Sequence, residues 1–240
     1  MISRLRNFYR WASNILRYNG LLGLIWQLIR KIFHPFGDLG LVTFFEKDLI
    51  QPLKEVKAGA ELTIVKAQES DMEPLIKLIG ERYGSMKSSQ RREVENRVLC
   101  RFQKGSLCFL GKIRNEVIHY AWISFNWDES LAGRFLHLGI DEALYLDAYT
   151  VEKWRGQRIH PAVLHQMLYY LKQRGYRKVY ALVDTDNKSS KKTHDLLAWT
   201  VFGNALGFTP RGASKGWIWR IKGSLAPFLE KKVPDSATNA

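Results

Sequence analysis

The sequence predicts an α/β (α+β) protein: a mixed, mostly antiparallel central sheet flanked by helices on both faces, preceded by an N-terminal helical hairpin. Three observations predict it. The segments run strand, two helices, three or four strands, helix, strand, helix, strand, so a meander is followed by two crossover units. The regular β–α alternation of a dinucleotide-binding fold is missing, as are GxGxxG and the phosphate-loop lysine motif. The first 37 residues carry two helical patterns, six Lys or Arg and no acid before Asp38. The expected organisation is a basic amphipathic extension (1–37), a connector with a short strand (38–60), the main domain (61–223) and a loosely patterned tail (224–240).

Within the extension, Leu5, Phe8, Trp11, Ala12, Ile15 and Leu16 repeat at helical spacing opposite Arg6, Arg10, Ser13 and Arg17. Tyr18-Asn19-Gly20 breaks that pattern. A second helix, Leu21 to Phe33, has Gly23, Gln27, Arg30 and Lys31 on one stripe and apolar residues elsewhere, and His34-Pro35 ends it. The apolar run is too short to span a bilayer and lacks a signal-peptide cleavage site. Two readings stand: a hairpin lying on a membrane surface, or a helical pair packed on the main domain or on a second copy in a homodimer.

Leu41–Phe45 reads as a short strand, and Leu62–Ala67 as a second. Ser70-Asp71 caps a helix carrying Leu75, Ile76, Leu78 and Ile79, and a charged helix follows at Ser89–Gln103. Strand patterns occupy Leu107–Ile113, Val117–Phe125, Phe135–Leu138 and Ala143–Val151, with turn signals at Arg114-Asn115 and Asp128–Gly133. His160–Arg174 reads as a helix, Val179–Val183 as a buried strand, Ser189–Leu206 as a helix ended by Gly207, and Trp217–Ile221 as a last strand. The alternation Trp217-Ile-Trp219 predicts a packed sheet face.

Composition bounds the function. With 240 residues, 46% hydrophobic and 25% charged, the chain is an ordinary globular protein, which excludes disordered, collagen-like and many-span membrane classes. The net charge of +14 calls for an anionic partner: nucleic acid, acidic lipid, an acidic carrier protein or a phosphate-rich cofactor. No nucleic-acid motif appears, which makes that partner the least favoured. Cys100 and Cys108 are too few for a disulfide framework and lack metal-site spacing, so no metal is expected. The expected compartment is the cytoplasm, with the inner membrane face as the alternative setting for the basic hairpin.

The chemistry concentrates between Tyr145 and Phe208. A β-rich run ending at Val151 leads through Glu152-Lys-Trp-Arg-Gly-Gln-Arg-Ile-His160 to a helix opening at Pro161. Such a loop delivers unbonded backbone N–H groups at the positive end of a helix dipole, with Arg155 and Arg158 beside them. That combination suits phosphate groups.

These residues carry a family resemblance. Thr150-Val-Glu-Lys-Trp-Arg-Gly-Gln-Arg-Ile-His160 resembles the acyl-CoA pyrophosphate loop of the GNAT N-acetyltransferase superfamily, an aromatic-Arg-Gly-basic-Gly-Ile-Gly string after a bulged strand. Gly175-Tyr-Arg-Lys-Val-Tyr-Ala-Leu-Val183 resembles its next helix end and strand. Asp186-Asn187 with Ser190 resembles the Asn-x-x-Ser start of its last helix, and Gly207-Phe208 that helix's Gly-Phe ending. The likeness runs from Leu62 to Ile221. It departs where Arg158 and His160 replace the second and third loop glycines. It departs again in the 20 residues from Asn187 to Gly207, which read as two inserted helical turns.

The resemblance implies a GNAT-like fold and an N-acyltransferase that moves an acetyl or longer acyl group from acyl-CoA directly to an amine. It implies that Thr150 and Val151 hold the thioester oxygen through main chain. The loop Arg155, Gly156, Gln157, Arg158, Ile159 and His160 would hold the pyrophosphate, and Asn187 with Ser190 the pantetheine arm. The family's tyrosine acid falls on His194 counting forward from Asn187 and on Gly203 counting back from Gly207. His194 is therefore the first candidate acid, against a solvent-facing place between Lys192 and Asp195. Glu142 and Asp147 are candidate bases, and strand alternation places Tyr145, Asp147 and Tyr149 on one face. His119, His137 and His165 read as isolated structural residues. Two alternatives stand beside this reading: an acyl carrier protein as donor, and a catalytically silent domain that binds membrane or nucleic acid.

Overall fold

The computed structural model describes residues 21, 23–83, 86, 88–125, 138–213 and 217–223. The first helix of the hairpin, the segment around Phe135 and the tail lie outside them. Among the described residues, eight strands form one sheet: β1 (Gly37–Asp48), β2 (Thr63–Lys66), β3 (Leu107–Ile113), β4 (Glu116–Ser124), β5 (Glu142–Thr150), β6 (Lys178–Asp184), β7 (Thr200–Pro210) and β8 (Trp217–Gly223). Their order across the sheet is β2-β3-β4-β5-β6-β1-β7-β8. Only β5 and β6 are parallel; every other neighbouring pair is antiparallel. The helices are α1 (residues 23–33), α2 (Met72–Tyr83), α3 (Ser88–Gln103), α4 (Ile159–Gln173) and α5 (Lys188–Leu196).

β1 is longer than its sequence signal and lies inside the sheet, with β6 on one side and β7 on the other. The run Leu41-Val-Thr-Phe-Phe45 suits that place because both faces are covered. Phe45 joins the core under α4, while Phe44 packs with Ala205 and Phe202 on the opposite face. The two faces are read directly from β3. Phe109 joins Ile159, Val163, Met167 and Leu171 of α4, while Cys108 and Leu110 join Leu75, Ile79, Val94 and Val98 of α2 and α3. Full burial of each such side chain is worth about 1.5–3 kcal/mol.

The expected helix Ser189–Leu206 is two elements. α5 stops at Leu196, the chain turns through Ala198 in a left-handed conformation (φ 54°), and residues 200–210 form β7 along β1. There are no inserted turns, and Gly207-Phe208 lies mid-strand opposite Gly40 and Leu39. The open edge of β1 captured this segment. Buried Gly203, Ala205 and Gly207 alternate with more exposed neighbours, and small residues suit that packed face.

β5 also departs from simple alternation. Its register on β4 slips by one residue between Leu146↔Trp122 and Tyr149↔Tyr120, with Asp147 at φ 46°. This bulge reverses the phase of the strand. Tyr145 faces the α4 side, whereas Asp147 and Tyr149 face the α2–α3 side, so the expected common face of the three does not exist.

α1 has Gln27 and Arg30 half-buried together with Leu24, Trp26 and Leu28, while Lys31 of the polar stripe is exposed. Gln27 Nε2 donates to Asp186, and Arg30 Nη1 lies 3.3 Å from the same carboxylate. No described helix is long and apolar enough to cross a membrane.

Candidate active site

β5 and β6 pair only from Glu142↔Lys178 to Tyr145↔Ala181. Beyond Tyr145 the bulge bends β5 away while β6 stays bonded to β1. The gap between the two strands opens into a cleft of about 790 Å³. Its walls are Leu146–Thr150 on one side and Leu182–Asp184 with α5 on the other, and its floor is the start of α4.

The loop at the floor has a distinct backbone geometry. A 3₁₀ turn at Glu152–Trp154 precedes it, Gly156 sits at φ 81°, and Arg158 caps α4 at φ 56°. The first bond of the α4 ladder runs from Ala162 N–H to Arg158 O (3.1 Å), so the amides of Ile159 and His160 have no helical acceptor. A Cβ on Gly156 would meet nothing within 4 Å. The two glycine replacements leave the cradle open: Arg158 is exposed, and His160 turns under the loop into the core. Gly59 N–H donates to Gln157 O at 2.8 Å, so the connector ties this loop down. Arg155 lies back along the cleft wall, its Nε donating to Thr150 O (3.2 Å) with the guanidinium over the Tyr149 ring.

Thr150 and Val151 divide their work. Val151 N–H donates to Ile118 O at 3.0 Å, which commits it to β4. By antiparallel alternation the Thr150 amide points to the cleft instead. Across the gap, Asn187 caps α5: its side-chain oxygen accepts from Ser190 N–H at 3.1 Å, and both residues line the cleft.

The candidate acids and bases separate. Glu142 is at the closed end of the β5–β6 pairing, where it accepts from Gly139 N–H (2.6 Å) and Tyr180 Oη (3.0 Å). Asp147 lines the cleft but is clamped by Arg82 Nη1 (2.5 Å) and Arg101 Nη1 (2.6 Å). Burial would raise its carboxyl, but the two guanidiniums hold it below the usual carboxylate range. Such a carboxylate is a weak proton acceptor. His194 is fully buried rather than solvent-facing: Nδ1 bonds Ser190 O at 2.8 Å, and the ring packs against Phe45 and Trp199.

A cluster that the sequence left scattered lies under the cleft. Tyr145 Oη is 2.6 Å from His160 Nε2. His160 stacks on His119, whose Nδ1 bonds Thr150 Oγ1 at 2.7 Å, and His194 meets the edge of Tyr145. His119 is therefore not isolated. Burial lowers all three imidazoles, and a neighbouring imidazole adds to this for His119 and His160; His160 reaches about 3. Burial likewise pushes the Tyr145 phenol up. No sequence spacing announces this cluster, because β4, β5, α4 and α5 each supply one member. Arg82 and Arg101 were missed for the same reason.

Comparison with known proteins agrees with this architecture. The sequence pattern described as the acetyltransferase (GNAT) family matches residues 73–198. No curated protein matches the chain by sequence. Among solved structures, a GCN5-related N-acetyltransferase from Sphaerobacter thermophilus aligns with a TM-score of 0.53 at 13% identity, covering 80% of this chain and 59% of that one. A tandem GNAT protein from the clavulanic acid biosynthesis pathway aligns at 0.52 with 12% identity, covering 79% and 56%. A conserved protein of unknown function from Staphylococcus epidermidis aligns at 0.51 with 9% identity, covering 74% and 64%. The chain thus spans less than two thirds of each of these three relatives, and the likeness is one of fold.

Proposed function

From its membership of the acetyltransferase (GNAT) family, to which this chain belongs, we propose that it transfers an acyl group from acyl-CoA to an amine acceptor by direct attack. The carrying observation is the cleft between β5 and β6, which ends on the unbonded amides of the α4 N-terminus. The amides of Gly156 to His160 would hold the pyrophosphate, with Arg155 and Arg158 supplying positive charge. Asn187 and Ser190 would face the pantetheine arm, and the Thr150 amide the thioester oxygen.

The reaction needs a neutral amine, a polarised carbonyl and a proton for the departing sulfur. The amine nitrogen bonds to the carbonyl carbon, the C–S bond breaks, and the sulfur takes a proton while the nitrogen loses one to solvent. Tyr145 stands where the strands part, and its hydroxyl rests on His160. It is better placed to protonate the sulfur than His194, which does not line the cleft. With Nε2–H of His160 donating to Tyr145 Oη, the phenol proton is left to point into the cleft.

One feature favours an acyl carrier protein as donor instead: residues 151–223 carry 14 Lys or Arg against four acids. Calorimetric titration with acetyl-CoA and with an acidic acyl carrier protein separates the two. Binding of acetyl-CoA, weakened about tenfold in Arg155→Ala, supports the first reading. No heat with any acyl-CoA, but saturable heat with the carrier protein, overturns it. Binding without thiol release across an amine library marks a silent domain.

A further inference from the structure

A helix packed on a soluble domain buries its apolar stripe and shows its polar one to water. α1 departs from this pattern. Gln27 and Arg30 are turned onto Asp186 with Leu24, Trp26 and Leu28 half-buried beside them, while Ile25 and Ile32, with Leu21 and Phe36 at the helix ends, are exposed at 43%, 66%, 64% and 68%. Ile25, Ile29 and Ile32 follow one another at four- and three-residue steps, so the outward stripe is continuous along the helix. It also continues across the sheet edge: Phe33 meets Phe208 edge-on at 6.2 Å, and Phe208 stacks on Trp217 at 6.3 Å. Trp217 and Trp219, expected in a packed face, are half exposed.

We propose that this face is an interfacial anchor that seats the protein on an anionic lipid surface, with α1 lying in the plane of the membrane. The charge decides between lipid and a second copy. The sequence before Asp38 carries six Lys or Arg and no acid, and Lys31 lies exposed beside the apolar stripe, so bringing two copies of this segment together sets like charge against like. An acidic headgroup layer is complementary to it. Paired exposed tryptophans beside an apolar stripe suit the boundary between headgroups and acyl chains. Arg211, which donates to His34 O at 3.2 Å, places a further cation at the end of α1. Because Asp186 directly precedes Asn187, the anchor is fastened to the rim of the cleft. This inference is independent of the acyl-transfer reading, since it concerns binding alone.

The test is sedimentation of the full chain with vesicles of phosphatidylcholine alone and of phosphatidylcholine with about 30% phosphatidylglycerol. Binding is expected only to the anionic vesicles, with most of it lost at about 0.5 M salt. The triple variant Ile32→Ser, Phe33→Ser, Trp217→Ser should bind about tenfold more weakly or less. The milder pair Ile25→Ser, Ile32→Ser changes exposed side chains only, and should also weaken binding at an unchanged melting temperature. Wild-type protein that ignores anionic vesicles, or variants that bind them as well as wild type, would overturn the proposal. So would a wild-type dimer that the triple variant converts to monomer in sedimentation velocity, which assigns the face to a second copy.

Discussion

Tyr145 on β5 and His160 on α4 share a 2.6 Å hydrogen bond at the point where β5 and β6 separate. The pair joins the last paired rung of the parallel ladder to the first turn of the helix that floors the cleft. Removing the hydroxyl tests it directly. In Tyr145→Phe, kcat is expected to fall about 100-fold, while the dissociation constant for acetyl-CoA stays within about threefold of wild type. A full loss of binding, or an unchanged kcat, would return the proton donor to His194 or to water.

The three buried imidazoles make stability depend on pH. Each is held neutral in the fold, His160 down to about 3 against an ordinary value of 6.5. The unfolded chain therefore binds more protons between these limits, and stability falls as pH drops below 6.5. Urea denaturation from about pH 7 to about pH 4 should show the midpoint decreasing. His160→Gln should flatten the slope by up to about 1.4 kcal/mol per pH unit. A midpoint independent of pH would contradict the burial of these rings.

Asp147 anchors α2 and α3 to the bulge through Arg82 and Arg101. Asp147→Asn removes the carboxylate charge that both guanidiniums contact, Arg101 being the more buried of the two. The expected loss is about 2–3 kcal/mol, discounted from a fully buried pair because Arg82 is partly exposed. Chemical denaturation measures it. A loss below about 0.5 kcal/mol would place the triad with ordinary surface pairs.

Ala198 closes α5 at φ 54°, and its carbonyl accepts from Lys47 Nζ at 3.1 Å. Glycine adopts this conformation without the Cβ conflict. Ala198→Gly should therefore stabilise the protein by about 1 kcal/mol, seen as a higher melting temperature at unchanged activity. Destabilisation would show that the methyl group packs usefully.

The misread stretch after Asn187 explains how far local pattern reaches. Leu196, Leu197, Trp199, Phe202, Ala205 and Leu206 satisfy helical spacing about as well as strand alternation. Gly203 in the interior and the β-branched pair Thr200-Val201 were local signals against a helix. The Asn187–Ser190 pair was legible because a helix cap is a local bond between residues three apart. The turn and helix start around Arg155–His160 were legible for a similar reason: their backbone conformation is defined by neighbours in sequence.

The sequence by itself determined the elements up to α5, the mixed sheet and the family, because each is written in periodicities and turns a few residues long, but it missed β7. Only the tertiary structure decided where β1 sits, where β5 bulges and which side chains meet at the opening. Tyr145, His160, His119 and His194 come together because two strands splay and two helices close over them, a consequence of packing across the sheet. It also decided the orientation of α1. A stripe pattern fixes which residues share a face of a helix, but not which face turns inward, and here the Asp186 contacts hold Gln27 and Arg30 against the protein while Ile25, Ile29 and Ile32 stay exposed.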